Sequence, residues 1–179
     1  MKFSVITICF NNKEGVIKTA ESLLNQTFRG FEWIIIDGGS KDGSKEIIEQ
    51  YASDPYNNII YWCSEPDTGI YNAMNKGISH ASGDYVIFLN SGDSFVSNKL
   101  LEGVSKRNIS ADLVIGDIVL TYSDGSYYYN HSPEIMSVQR LIKESVPHQS
   151  TFTKLSLFKT YGGYDETFKI ISDYVFFLR

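Results

Sequence analysis

Phe31-Glu-Trp-Ile-Ile-Ile36 leading into Asp37-Gly-Gly-Ser-Lys-Asp-Gly-Ser44 is the stretch that decides the fold. Its first half is apolar, β-branched and aromatic, the pattern of a strand covered on both faces. Its second half is built of Gly, Ser and Asp, residues that end a strand and turn the chain. Ile47, Ile48 and Tyr51 follow at helical spacing and predict a helix with an inward face. Strand, polar turn and helix in that order form half of a βαβ unit.

The same unit recurs on either side. Phe3-Ser-Val-Ile-Thr-Ile-Cys-Phe10 reads as a buried strand ended by Asn11-Asn12, and Val16, Ile17, Ala20, Leu23 and Leu24 predict an amphipathic crossover helix over 14–26. Downstream come a strand near Ile59 to Cys63, a helix over 69–82 with Ile70, Ala73, Met74, Ile78 and Ala81 inward, and the strand Tyr85-Val-Ile-Phe-Leu89. Such alternation requires a mostly parallel sheet with helices packed on both faces. Past residue 98 the rhythm loosens. A strand over 113–122, an Asp124-Gly125 turn and Tyr127-Tyr-Tyr129 predict an antiparallel hairpin, 154–161 a short helix ended by Gly162-Gly163, and 174–178 a last apolar segment. The expected class is α/β: a Rossmann-like, mostly parallel sheet flanked by helices, with a small antiparallel hairpin.

The 179 residues, 42% hydrophobic and 21% charged, suit one globular domain. A net charge of -5 speaks against nucleic acid as a partner, since phosphate neutralisation needs clustered Lys and Arg. Cys9 and Cys63 sit in apolar stretches without metal-site or redox-pair spacing and read as core thiols. Neither a signal peptide nor a bilayer-spanning run is visible, so the cytoplasm is the expected location, with peripheral association at the inner face of the membrane open for a longer protein.

In an open parallel sheet, ligands bind beyond the carboxyl ends of the strands. That rule picks out Asp37, directly after its strand, and Asp93 in Leu89-Asn-Ser-Gly-Asp93. Asp37 suits a base N–H as hydrogen-bond acceptor, although the same loop equally serves as a strand-to-helix connection whose Asp and Ser residues cap the next helix. Asp93 suits a divalent cation as an oxygen ligand, although Asn90-Ser-Gly-Asp93 also reads as a plain turn. In Glu65-Pro-Asp-Thr-Gly-Ile-Tyr-Asn-Ala-Met-Asn-Lys-Gly77, a capped helix concentrates Asp67, Asn72, Asn75 and Lys76 near its start, a position that favours anions. Asp117, after an apolar strand, is placed at the same rim as Asp93, or in a turn. His148 is as compatible with a structural hydrogen bond as with a site. His80 and His131 read as surface or structural residues, and Tyr127 to Tyr129 as a half-exposed strand more readily than a sugar-stacking platform.

Together these motifs resemble inverting glycosyltransferase family two, whose nucleotide-binding domain has the fold called GT-A. The resemblance covers nearly the whole chain: Val5 to Asn11, Ser22 to Thr27, Ile35 to Ser44, Glu65 to Gly77, Gly83 to Asp93, Gly116-Asp117, His148-Gln149, and Tyr161 to Glu166 leading to Ser172-Asp-Tyr174. It implies transfer of a sugar from a nucleotide donor, a UDP-sugar, to a hydroxyl of a glycan or lipid-linked acceptor. Asp37 would contact uracil, and Asp67 and Lys76 would line the donor pocket. Phe10, Asn11, Ser40, Asn72, Asn90 and Ser91 join them in the matched motifs. Asp93 stands as the last acid of the metal motif for Mn²⁺ or Mg²⁺, Asp173 as general base, and Asp117 and His148 on the acceptor side. Two positions depart from the family pattern: Asn90 replaces the first acid of an Asp-x-Asp metal motif, and Ser172 replaces the acid before Asp173. The Gln-x-x-Arg-Trp signature of processive synthases is absent around Gln139-Arg140, which favours single-sugar addition, and the ending shortly after Asp173 reads as a piece of a longer protein. A sugar-nucleotide or glycan-binding module without catalysis is the competing reading; a nucleotidyltransferase is disfavoured, because Asn11-Asn-Lys-Glu14 lacks a Gly-rich basic loop.

Overall fold

The structure, a computed structural model, describes residues 1–107, 109–143 and 146–179. In chain order its elements are β1 (Phe3–Cys9), α1 (Lys13–Leu24), β2 (Phe31–Asp37), α2 (Ser44–Ala52), β3 (Ile59–Ser64), α3 (Ile70–His80), β4 (Tyr85–Phe88), α4 (Leu100–Ser105), β5 (Leu113–Ile115), β6 (Ile118–Thr121), β7 (Tyr127–Asn130), α5 (Val138–Lys143), β8 (Thr151–Lys154), α6 (Leu155–Tyr161) and α7 (Ser172–Phe177). Six strands form one sheet in the order β3-β2-β1-β4-β8-β5, and β6 and β7 form a separate antiparallel pair. β1 to β4 are parallel, while β8 runs against both of its neighbours, which leaves β5 pointing the same way as β1 to β4.

Alternation along the strands divides the core in two, because successive side chains leave opposite faces of a sheet. Val5, Trp33, Ile35 and Ile87 pack with Val16, Ala20 and Leu23 of α1 and Ile48 of α2. Ile6, Ile34, Ile36 and Val86 pack on the other face with Tyr71 and Met74 of α3 and with Phe158, Tyr164 and Phe176 from the C-terminal part. α3 lies close on β1 at Gly77, where a Cβ would run into Ile6 Cγ2. β1 and β2 are buried over their whole length, as their apolar runs require. Cys9 is buried and Cys63 is half-buried; neither is in a disulfide.

Three expectations are corrected. The strand read over 113–122 is broken at Gly116: the Gly116 N–H still donates to the Ser150 carbonyl (2.8 Å), one step beyond the β5–β8 register, and from Ile118 the chain pairs with β7 in the hairpin instead. β8 was not anticipated, nor were the short helices α4 and α5. Ile70, expected inward, is 43% exposed, and its neighbour Tyr71 is the buried residue.

β2 lies on one side of β1 and β4 on the other, so the chain's direction of winding reverses between β1 and β4. The crevice at such a reversal, beyond the strand ends, is where α/β sheets bind ligands.

Candidate active site

The strand ends deliver their side chains to one rim. Cys9 pairs in register with Asp37, and Asp37 with Ser64. Asp37 is 0% exposed. Its Oδ2 accepts from Ser40 N–H (3.0 Å) and from the Ser64 hydroxyl (2.6 Å), and the Ser40 hydroxyl donates to its Oδ1. These bonds tie the β2 loop to β3. Ser40 Oγ also accepts from Asn11 N–H (2.7 Å), and Asn11 Oδ1 accepts from Lys41 N–H (2.9 Å). Asn11 adopts φ 47°, a left-handed conformation Asn tolerates. Asn11 and Ser40 therefore clasp the first two strand-end loops together.

Across the crevice, the loop after β4 is pinned to α1. Thr19 Oγ1 lies within hydrogen-bonding reach of the carbonyls of Asn90 (3.1 Å) and Asp93 (2.8 Å) and accepts from Gly92 N–H (3.0 Å). Asn12 caps α1 and donates through Nδ2 to the Ser91 carbonyl (3.0 Å) and hydroxyl (3.3 Å). Gly92 has φ 101°, which a residue with a Cβ rarely adopts. Neither Thr19 nor Asn12 was picked out by the sequence; Asn12 carries the legible signal of an N-cap, while nothing local marks Thr19.

Between these loops lies a cavity of about 570 Å³ bounded by Phe10, Gly38, Asp67, Gly69, Ile70 and Asn90, among others. A Cβ on Gly38 would stand 2.7 Å from Asp67 Oδ2 and 3.2 Å from the Phe10 ring, so this glycine keeps the wall open. Asp67 accepts Gly69 N–H at Oδ1 (3.0 Å) at the start of α3. Lys76 is not among the residues bordering this cavity. It is paired with Glu65 (2.7 Å), whose hydrogen bond raises the lysine's pKa. Asn72 donates to Glu166 Oε2 (2.9 Å), and Asn75 to Glu166 Oε1 (2.8 Å) and the Tyr164 carbonyl (2.8 Å), so these amides clamp the 164–166 segment onto α3.

One oxygen bordering this cavity is without a hydrogen-bond partner among the described residues. Asn90 Oδ1 is buried and unpaired. The half-buried Asp93 carboxylate has its pKa raised by burial, with His148, a backbone hydrogen bond from Asn90 and Lys18 opposing the rise. No group of three or more His, Cys, Asp or Glu side chains able to hold a metal occurs among the described residues. One carboxylate and one amide oxygen still fit a hard divalent cation whose remaining ligands come from substrate phosphates and water.

A second cavity, of about 460 Å³, adjoins the first at Ile70 and has Tyr71, His148 and Asp173 among its lining residues. Asp173 Oδ1 accepts from the Tyr71 hydroxyl (2.8 Å), and Oδ2 accepts from His148 Nδ1 (2.8 Å). His148 Nε2 lies 3.4 Å from Asn90 Nδ2. Burial raises the pKa of Asp173, but the hydrogen bonds from His148 and Tyr71 outweigh it and hold the carboxyl below its ordinary range. Tyr71, 6% exposed, was missed as a site residue, though it stands inside the motif quoted for the α3 start. Ile171, just before α7, is a β-branched residue at φ 74°, a strained conformation that recurs at functional sites.

Asp117 is not at this rim. It bonds His131 (3.0 Å) and Ser132 N–H (2.8 Å) where the chain turns out to the hairpin, and these bonds lower its pKa. The break at Gly116 carries it away, so it is corrected to a turn residue. Tyr127, Tyr128 and Tyr129 are exposed on that hairpin, outside both cavities.

A family model described as Glycosyl transferase family 2 matches residues 4–176. An uncharacterized glycosyltransferase of Mycobacterium tuberculosis is 40% identical over 184 residues, covering 98% of this chain and 67% of its own length. A PGL/p-HBAD biosynthesis glycosyltransferase of Mycobacterium bovis is 28% identical over 180 residues, covering 99% and 68%. Among solved structures, S. aureus TarS 1-349 in complex with UDP matches with TM-score 0.80 at 21% identity, covering 98% of this chain and 54% of that one. Mannosyltransferase PcManGT from Pyrobaculum calidifontis, in complex with GDP-Man and Mn²⁺, matches with TM-score 0.69 at 14% identity, covering 92% and 48%. The chain thus spans about two thirds of these curated relatives and about half of these solved chains. At such identities the solved structures show the fold, which is the GT-A arrangement expected from the sequence. No helix among the described residues is long and apolar enough to cross a membrane.

Proposed function

Because the chain belongs to glycosyl transferase family 2, we propose that it carries the donor site and reaction centre of an enzyme moving a sugar, with inversion, from a UDP-sugar to an acceptor hydroxyl in glycan biosynthesis. The observation that carries this reading is the meeting of two cavities at Ile70, one at the strand ends and one holding Asp173. The first takes the nucleotide. With Asp37 tied off, base recognition falls to Asp67 and the backbone around Gly38, beside the exposed ring of Phe10. UDP as the nucleotide is supported by TarS, solved with UDP and with UDP-GlcNAc. An acceptor that is a glycan or lipid-linked is supported by the relative named for PGL/p-HBAD biosynthesis.

An alcohol is a weak nucleophile at neutral pH, and a positioned carboxylate that takes its proton accelerates attack. Asp173 fills that role here. Two of its acceptor sites are used by Tyr71 and His148, which orient it and keep it ionised, and a carboxylate has further lone pairs for the acceptor hydroxyl. Attack from the second cavity on a sugar held in the first proceeds opposite the departing UDP and inverts the anomeric centre. Asp93 and Asn90 Oδ1 are the residues that would hold Mn²⁺ or Mg²⁺ beside the diphosphate. Such an ion, when bound, stabilises leaving-group charge as a Lewis acid, a contribution of several kcal/mol, on the order of 3 or more.

The test is a calorimetric titration of the full-length protein with UDP, with and without Mn²⁺, followed by measurement of UDP release from UDP-sugars over candidate acceptors. Metal-dependent binding with release is the expected result. Binding without release or hydrolysis would instead identify a module that holds sugar nucleotides and does not transfer them.

A further inference from the structure

The two cavities differ in charge. Asp67 is the one Asp, Glu, Lys or Arg among the lining residues of the first, which therefore has no lysine or arginine of its own to meet a diphosphate. The second is bordered by Lys143, the last residue of α5, and by Lys169, in the segment leading to α7. Both are exposed, and neither is ion-paired among the described residues. The one carboxylate in that cavity, Asp173, is engaged by Tyr71 and His148. Two lysines from separate segments thus border one opening, in a chain whose acids outnumber its bases, 21 to 16.

A lone lysine at a cavity mouth is ordinary surface. A pair of them around the site of proton abstraction, beside the apolar side chains of Ile170 and Ile171, defines a ligand: an anion next to an apolar or ring-like body. Lys presents a compact point charge and not a planar fork, which suits a tetrahedral phosphate better than a bidentate carboxylate contact. We infer that the acceptor carries a phosphate close to the hydroxyl that is glycosylated, and that Lys143 and Lys169 hold this phosphate while Asp173 faces the hydroxyl. The inference rests on the sugar-transfer reading above and adds the substrate class of its second cavity. A lipid-linked sugar phosphate and a phosphodiester of a soluble polymer present the same chemistry.

The test is transfer by the full-length protein, with UDP-glucose and UDP-N-acetylglucosamine as donors, to matched acceptors. These are an alkyl glycoside, the same sugar on an alkyl phosphate, and a soluble oligomer of an alditol phosphate. The phosphate-bearing acceptors are expected to lead in kcat/KM by roughly tenfold or more, with the lead shrinking as salt rises. It should disappear in Lys143→Gln/Lys169→Gln and persist in Lys143→Arg/Lys169→Arg. Preference between the alkyl phosphate and the oligomer identifies which source is used. Equal use of the neutral glycoside, or a phosphate preference that survives the double Gln change, overturns the inference and leaves sugar transfer standing. Failure to bind UDP or to consume any donor overturns sugar transfer itself, and the inference with it.

Discussion

The two ends of the same strands treat buried polar groups in opposite ways. At the amino end, Glu32 is 1% exposed and wholly provided for: the hydroxyls of Ser4 (2.6 Å) and Ser82 (2.6 Å) and the N–H of Ser82 (2.6 Å) donate to it, and the Lys2 ammonium pairs with it. At the carboxyl end, Asn90 Oδ1 is buried with no partner among the described residues, and the Asp93 carboxylate has only a backbone hydrogen bond from Asn90. A buried polar group without a partner costs free energy, so a fold that keeps one has a use for it or a ligand to fill it. Asp37 stands at the same end yet is 0% exposed and bonded by Ser40 and Ser64, so in its provision of partners it resembles Glu32. Satisfaction, more than burial or location, separates acids that hold the fold together from acids left for a substrate.

The widest gap between these classes is expected at Asp173, which is both held and aimed into a cavity. Asp173→Asn should lower kcat by roughly 10²–10⁴-fold, the range of a lost general base, while UDP affinity by calorimetry stays near wild type. If the variant transfers sugar at the wild-type rate, the base lies elsewhere. Asp93→Ala comes next. Loss of a metal-holding carboxylate should cost about 10²-fold in transfer and abolish the increase in UDP affinity caused by Mn²⁺. Unchanged transfer in this variant together with unchanged activity in excess chelator would end the case for an ion at that loop.

Glu32 is expected to move stability and leave transfer alone. Burial raises its pKa, but hydrogen bonds from Lys2, Ser4 and Ser82 outweigh it and bring the pKa from an ordinary 4.5 to about 2 in the folded chain. Because the folded value lies below the unfolded one, the stabilisation is fully present above about pH 4.5 and is lost as pH falls toward 2. Its size is on the order of 2–3 kcal/mol. Urea denaturation of wild type and Glu32→Gln should therefore show a difference at neutral pH that closes over that window. A constant difference across it would mean the network does not depend on the charge.

The sequence displayed the first half of the fold and only part of the site, for one physical reason. From β1 to β4, each strand is a continuous apolar run and each helix an amphipathic one, so the information is local. β8 is four residues long and becomes a strand only because it fills the gap between β4 and β5. The break at Gly116 likewise depends on distant partners, since Leu113–Ile115 pair with β8 and Ile118–Thr121 with β7. In the site, Asp67, Asn90, His148 and Asp173 were legible from motifs. The bond from Tyr71 to Asp173 spans 102 residues of sequence, and the one from Ser64 that occupies Asp37 spans 27. Motif spacing places a side chain at the rim; only tertiary contacts decide whether its polar atoms are free.

The smallest expected effect sharpens that last point. The family resemblance implies that Lys76 lines the donor pocket, yet its ammonium is paired with Glu65, a side chain 58% exposed. An ion pair in that setting contributes about 0–1 kcal/mol, because solvent screens it and two long side chains must be ordered to form it. Lys76→Gln should thus change thermal stability slightly and leave the affinity for UDP and for an intact UDP-sugar unaltered. A weakening of UDP binding by roughly tenfold, equal to about 1.4 kcal/mol, would show that Lys76 releases Glu65 and turns to the diphosphate when the donor arrives. In that event the first cavity does gain a cation of its own, and the contrast in charge between the two cavities narrows.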